Sequence, residues 1–431
     1  MYEPIIFKIE FENLNFNELN NINEKDDNLI ECSNINLPLI SLGFNDFMHR
    51  TKKSLTINKK KIHTKTNLEC IINPFEINIP NYEDSINNLS LLYFNIKNEY
   101  LYITSKTFYS IWEILFIFNI CDTSNLSISI ISNDNSSIIQ SIINYKNKNN
   151  ININSDIIYN LSYENKISDE IINYYKKLIS NITNDLFNTE KINSTSIIQG
   201  AKTSVIKNNS DLIIIDVELN WKDYKFKEQE NYILLIKQIY YIFKTQNKNG
   251  NLIIKIYETF TLPTLKLIYI LTRFYKESYI YRPFFSKNFE SDKYIILKYF
   301  TYDQKILNNI IKSLENILNS INIDKYIYDI YPEFNIPLYF IKKFIYINKI
   351  AEQEQININN IIKYIKQDNY YGDKYHNYRN IQIESIKWWK QTFFPPSDNL
   401  LKKNKEDINN IINNIINKNE LKINNFIKLL K

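Results

Sequence analysis

Glycine is nearly missing from this chain: Gly43, Gly200, Gly250 and Gly372 are the only four in 431 residues, against an average usage of about 7%. They stand too far apart to write a G-x-G-x-x-G fingerprint or a G-x-x-x-x-G-K-[ST] phosphate loop. Any nucleotide pocket must therefore be built another way. Cysteine and histidine are equally scarce. Cys32, Cys70 and Cys121 form no C-x-x-C pair, and His49, His63 and His376 are the only histidines. Neither a zinc centre nor a disulfide framework is supported, so no metal is expected and a reducing compartment fits best. No run of 18 or more apolar residues occurs. The opening MYEPIIFKIEF carries acid where a signal peptide needs a basic region. The expectation is a soluble, intracellular protein with no membrane partner.

What is present is a folding composition. Hydrophobic residues make up 44% of the chain, with 33 Tyr and 25 Phe, enough to build a core and exclude wholesale disorder. At roughly 150 residues per domain the length suggests two or three domains. The net charge of +5, from 52 Lys and Arg against 47 Asp and Glu, permits an anionic partner without requiring one. The heavy use of Ile, Asn, Lys and Tyr is what an AT-rich coding sequence produces, and it blunts propensity arguments because Ile serves helices and strands alike.

Three regions follow from the patterning. Residues 1–75 read as an irregular N-terminal extension ending in a basic stretch. Its Lys59, Lys60 and Lys61 are candidates for tracking an RNA backbone by counterion release, and a solvated loop is the alternative reading. From 76 to 300, short Ile-rich runs alternate with segments of helical period, the mark of an α/β core. Ser105–Asn119 reads as a capped helix with Phe108, Trp112, Leu115 and Phe116 on one face. Leu126–Ile131, Asp211–Asp216 and Asn251–Tyr257 read as buried strands, the last following a turn at Asn249-Gly250. Glu228–Thr245 and Leu262–Tyr275 read as helices, and Ser278–Pro283 with Lys293–Phe300 as a terminal hairpin. That succession is the layout of a doubly wound sheet. Residues 301–431 read as a separate helical region, with periodic stretches at 304–320, 337–350, 356–366, 381–393 and 405–430.

Ligands of open α/β sheets bind at the carboxyl ends of strands, which directs attention to Asp216 and Lys255. Asp216 ends an apolar strand, and Lys255 interrupts one. A charge there needs a partner, and pairing the two is economical. The carboxylate favours the charged lysine while desolvation opposes it, leaving open a lysine tuned for proton transfer. A purely structural buried ion pair is the other reading.

Four segments in order resemble one family. Gly250-Asn-Leu-Ile-Ile-Lys255-Ile-Tyr is followed by a helix and by Tyr281-Arg-Pro283-Phe-Phe-Ser286 and Ser291-Asp292-Lys-Tyr294-Ile-Ile. With Asp211–Asp216 and Phe108-Tyr-Ser110-Ile-Trp112-Glu113-Ile-Leu115, these resemble the FtsJ-like RNA ribose 2′-O-methyltransferases. The helical tail with Trp388-Trp389 is similar to the extension of such proteins from large DNA viruses. The resemblance implies a Rossmann-like S-adenosylmethionine-dependent methyltransferase fold, S-adenosylmethionine as cofactor and RNA, capped mRNA in particular, as partner. It implies a Lys-Asp-Lys-Glu tetrad in which Asp216 is the Asp, Lys255 the central Lys that assists deprotonation of the hydroxyl, and Asp292 stands for the Glu. A host-cytoplasmic or virion location is the matching expectation.

Two positions depart from the family's pattern. Ser110 occupies the place of the first lysine, with Lys106 one helical turn earlier as a candidate RNA contact. The glycine-bearing turn expected after the first strand is replaced by Ser132-Asn133-Asp134-Asn135-Ser136-Ser137. Asn133, Asp134, Asn135 and Ser136 are then the candidate cofactor residues, since Asn and Asp tolerate unusual backbone angles. Retained Asp216 and Lys255 argue for an enzyme. The altered loop and the lost lysine argue for a noncatalytic pseudoenzyme that serves as an RNA-binding or scaffold subunit of a viral capping or transcription assembly. Tyr370-Tyr371-Gly372 and Trp388-Trp389 are either base-stacking residues or packing anchors.

Overall fold

Ile-rich runs too short for helices become the strands of one sheet. A computed structural model describes residues 3–10, 16–22, 28–34, 73–77, 86–95, 102–103, 105–163, 172–175, 182–187, 209–219, 226–286, 291–322, 324–367 and 373–429. The strands are β1 (Ile5–Ile9), β2 (Leu29–Cys32), β3 (Ser127–Ser132), β4 (Ile157–Tyr163), β5 (Ile182–Phe187), β6 (Ser210–Asp216), β7 (Gln246–Ile256), β8 (Tyr275–Arg282), β9 (Lys293–Phe300) and β10 (Tyr326–Ile330). Eight of them form one sheet in the order β1-β8-β9-β7-β6-β3-β4-β5, and β10 pairs with β2 apart from it. Strands β3 to β7 run parallel, while β9 is antiparallel to both β7 and β8. The order reverses between β3 and β6, which makes that crevice the topological switch point of a doubly wound, Rossmann-like sheet.

The helices are α1 (Ile86–Tyr93), α2 (Lys106–Phe118), α3 (Asn135–Lys148), α4 (Lys227–Thr245), α5 (Leu262–Thr272), α6 (Gln304–Ser320), α7 (Leu338–Gln367), α8 (Asp373–Phe393) and α9 (Asp398–Leu429). Helix α2 begins as its sequence requires. The Ser105 side chain accepts the Thr107 N–H, and the helix ends on Asn119 in the left-handed region at φ 54°, a conformation Asn tolerates. The side-chain alternation of a strand divides the core in two. On one face Ile213, Ile215, Ile254 and Ile295 pack with α4, α5, α6 and α7. On the other, Leu212, Ile214, Ile253 and Ile296 pack with α2, α3, α8 and α9. The C-terminal helices thus contribute to both faces.

The structure departs from the sequence reading in four places. Ile5–Ile9 is not irregular: it adds an edge strand antiparallel to β8, and α9 covers its outer side, where the Asn419 amide donates to the Ile6 carbonyl at 2.9 Å. Such cover protects an edge from stray pairing. The expected turn at Asn249-Gly250 is a bulge inside β7, with Asn249 left-handed at φ 61° and the register to β6 shifted between Ser210 and Leu212. Gly250 is required there because a Cβ would come within 2.9 Å of the Asp211 carbonyl oxygen. The stretches 337–350 and 356–366 belong to one continuous helix, α7. The region after 301 also contains β10, whose partner β2 lies far away in sequence and so leaves no local signal. Among the described residues no helix is long and apolar enough to cross a membrane.

Candidate active site

Period-two alternation places Leu212, Ile214 and Asp216 of β6 on one side of the sheet, with Ile253 and Lys255 of β7 and Tyr294 and Ile296 of β9 on the same side. Register brings their ends level. Ile215 lies opposite Ile254, so the next step aligns Asp216 with Lys255, and Lys255 pairs directly with Tyr294. The Lys255 ammonium lies 3.1 Å from Asp216 Oδ1 and 3.5 Å from Asp292 Oδ2. The shorter carboxylate at 292 therefore reaches. Tyr294, to which the sequence reading assigned no task, donates its hydroxyl to Asp216 Oδ2 at 2.7 Å, and Tyr257 donates to the Val217 carbonyl. The side chains of Lys255, Asp216 and Asp292 are 11%, 5% and 13% exposed.

Burial opposes the charge on Lys255, but Asp216 and then Asp292 outweigh it and hold the ammonium well above the ordinary lysine range. The balance left open by the sequence is decided for the charged form. Burial likewise raises the Tyr294 hydroxyl, helped by Asp216 and opposed by Lys255, so it stays a donor. The arrangement is a cation held between two carboxylates at the carboxyl end of the sheet. It can donate hydrogen bonds to an oxygen and stabilise negative charge developing there.

The loop after β3 makes its turn with no left-handed residue. Ser132 Oγ accepts the Asp134 N–H at 2.9 Å, and Asp134 caps α3, accepting from Ser137 N at 3.4 Å and from Ser136 Oγ at 3.3 Å. Asn133 Oδ1 accepts the Glu218 N–H at 2.7 Å, tying this loop to the one after β6 across the switch point. Asn135 is 5% exposed, yet among the described residues neither its Oδ1 nor its Nδ2 has a hydrogen-bond partner. A buried carboxamide with both ends unmet fits a ligand that offers a donor and an acceptor.

The remaining candidates separate from this cluster. Lys106 is committed to Glu76, its Nζ 2.7 Å from Oε2, and Ser110 is 5% exposed on α2. Lys59, Lys60 and Lys61, and Tyr370 to Gly372, lie outside the described residues. Trp389 is fully buried and donates its indole N–H to Glu113 Oε1 at 2.8 Å, so it is a packing anchor rather than a base-stacking surface. Glu113 also accepts from the Tyr281 hydroxyl at 2.9 Å and from the Phe284 N–H at 2.8 Å. This buried carboxylate fastens α2, the loop after β8 and α8 together. Among the described residues no group of His, Cys, Asp and Glu could hold a metal ion.

A doubly wound sheet with an antiparallel strand beside β7, carrying a carboxylate and a lysine on the ends of β6 and β7, is the Rossmann-like arrangement with polar groups at its carboxyl edge. Residues 155–300 match the family described as FtsJ-like methyltransferase. The match begins after α2 and the β3 loop, the two places where the chain departs from the family's pattern. The chain is 32% identical over 88 residues to a cap-specific mRNA (nucleoside-2′-O-)-methyltransferase of Dictyostelium discoideum, covering 20% of this chain and 12% of that protein. It is 26% identical over 133 residues to an uncharacterized protein of Acanthamoeba polyphaga mimivirus, covering 30% and 32%. The chain thus spans under a third of the length of either relative. A solved putative class I S-adenosylmethionine-dependent methyltransferase from Listeria monocytogenes is 12% identical, covering 64% of this chain and 100% of that one, with a TM-score of 0.27.

Proposed function

We propose that this chain is an S-adenosylmethionine-dependent RNA methyltransferase acting on a ribose 2′-hydroxyl, with capped mRNA as its substrate. One observation carries the reading: the Lys255 ammonium, 3.1 Å from Asp216 and 3.5 Å from Asp292, held at the carboxyl ends of adjacent strands. Asn133, Asp134, Asn135 and Ser136 are the residues that would hold the cofactor, and the unmet carboxamide of Asn135 is what supports their fit. When bound, the cofactor supplies an electrophilic methyl group.

The chain's own residues do the rest. Lys255, charged at neutral pH, donates to the ribose 2′-oxygen and stabilises it as that oxygen attacks the methyl group and its proton passes to solvent water. Asp216 and Asp292 aim the ammonium, and Tyr294 fixes Asp216 from the far side. Orientation and electrostatic stabilisation of this kind lower a barrier without a resting neutral base.

A second reading has its own support. Ser110 stands where the family has its first lysine, Lys106 is engaged by Glu76, and the Asn133–Glu218 hydrogen bond spans the crevice a cofactor would enter. These favour a noncatalytic subunit of a capping assembly that keeps the fold and binds RNA.

Calorimetric titration with S-adenosylmethionine, followed by methyl transfer to capped RNA, separates the two. The enzyme reading expects micromolar binding and a transfer activity that Lys255→Met abolishes. No binding at millimolar ligand, together with RNA binding that survives Lys255→Met, would leave the noncatalytic reading.

A further inference from the structure

Lys293 follows Asp292 directly, and strand alternation sends its side chain to the opposite face of the sheet. There its ammonium donates to the Tyr257 carbonyl at 2.5 Å, to the Ser291 carbonyl at 3.2 Å and to Glu352 Oε1 of α7 at 3.3 Å. The Lys293 and Glu352 side chains are 3% and 1% exposed. Tyr257 lies two residues beyond Lys255, and Ser291 lies one residue before Asp292. A single buried cation therefore bridges the backbone segments that carry Lys255 and Asp292.

Helix α7 grips the same segment a second time. Asn348, one turn before Glu352 and on the same helix face, donates its amide to the Thr259 carbonyl at 2.7 Å and accepts the Thr259 hydroxyl at 2.5 Å. Ser291 Oγ also reaches Glu258 Oε1 at 3.3 Å. A buried ammonium needs a counter-charge to remain in place, and Glu352 provides one from outside the sheet.

We infer that Lys293 and Glu352 are positioning residues for the Lys255–Asp292 pair, and that α7 sets the spacing of the site from the face opposite to it. The inference rests on the reading of Lys255 and Asp292 given above for what that spacing accomplishes. A clamp acting through backbone carbonyls should affect the geometry of the site more than the affinity for cofactor or RNA.

The test is the double variant K293M/E352M in the full chain. Replacing both members of a buried ion pair by apolar side chains of similar size commonly preserves stability. The expected result is a melting temperature near wild type, KM values for S-adenosylmethionine and capped RNA within about twofold, and kcat lowered at least about tenfold, roughly the effect of a small misplacement of a reacting group. The Lys255 15Nζ resonance, assigned by its loss in K255R, should move and titrate at lower pH. Unchanged kcat, or lowered kcat with an unmoved Lys255 resonance, would overturn the inference. A wild-type chain without methyl transfer would instead remove the functional reading. The clamp would still be tested, since the resonance either moves in the double variant or does not. Should that variant fail to fold, E352Q alone is read by the same resonance and the same kcat, with the same outcomes deciding.

Discussion

The Tyr294 hydroxyl meets Asp216 Oδ2 at 2.7 Å although their strands are not neighbours: β7 lies between β9 and β6, and Tyr294 reaches past Lys255 to the far carboxylate. Asp216 is therefore held on one oxygen by a phenol and on the other by an ammonium. A hydrogen bond to a charged group contributes about 1.5–3 kcal/mol. On the proposed methyltransferase function, Tyr294→Phe should lower methyl transfer roughly tenfold while leaving S-adenosylmethionine affinity in place, as read by kcat beside a calorimetric titration.

Lys255→Met has a consequence that requires no activity to measure. Removing the cation leaves Asp216 and Asp292 facing one another, and breaking a buried pair in this way costs about 3–5 kcal/mol. Lys255 titrates far above neutrality, so its contribution is complete at every pH below the ordinary lysine range and gives the wild type no slope between pH 5 and pH 9. The variant behaves differently. Two carboxylates sharing a site push one pKa upward, so Lys255→Met should regain stability as pH falls, and D216N/K255M should recover much of the loss at pH 7. Urea denaturation at several pH values measures both.

Glu113 ties its own prediction to pH. Burial pushes its carboxyl up to about 8, although the Phe284 N–H, the Trp389 indole and the Tyr281 hydroxyl all favour the charged form. Glu228 is pushed up to about 7 by burial and by Glu258. A carboxyl whose folded pKa is raised binds its proton more tightly in the folded state. Stability then falls as pH rises from the ordinary carboxylate range toward 8 and levels off beyond it. Glu113→Gln should flatten part of that slope, measured as melting temperature against pH.

Trp389→Ala removes a fully buried indole and a donor to Glu113. The expected loss is about 3–5 kcal/mol, the usual range for a large aromatic truncated in a core. Chemical denaturation of the full chain reads it. A loss below about 1 kcal/mol would mean that α8 is not anchored to α2 through this residue.

Much of the fold was legible because local signals agreed with it. Ser105 and Asn119 mark the ends of α2, Asp211–Asp216 carries the apolar run of a buried strand, and the paired runs before and after Pro283 form the antiparallel β8 and β9. The site was legible in its polar interruptions. A lysine inside Ile253-Ile254-Lys255-Ile256 and an aspartate ending β6 announced a partnership that the register then made. Elements whose partners are distant were not legible. The pairing of β10 with β2 and the cover of β1 by Asn419 depend on contacts hundreds of residues apart. Trp389, open to two readings from sequence, proved to be core.

The sequence by itself determined that this chain builds an apolar sheet with charges at its carboxyl edge, because strand periodicity and the cost of burying a lone charge act residue by residue. Only the tertiary structure decided that Lys255 is held charged, that Asp292 reaches it, that Tyr294 braces Asp216 from two strands away, and that Glu352 of a late helix meets Lys293 59 residues earlier. These are electrostatic relations set by distance and burial, and both are fixed when register and helix packing bring distant parts of the chain to the same point.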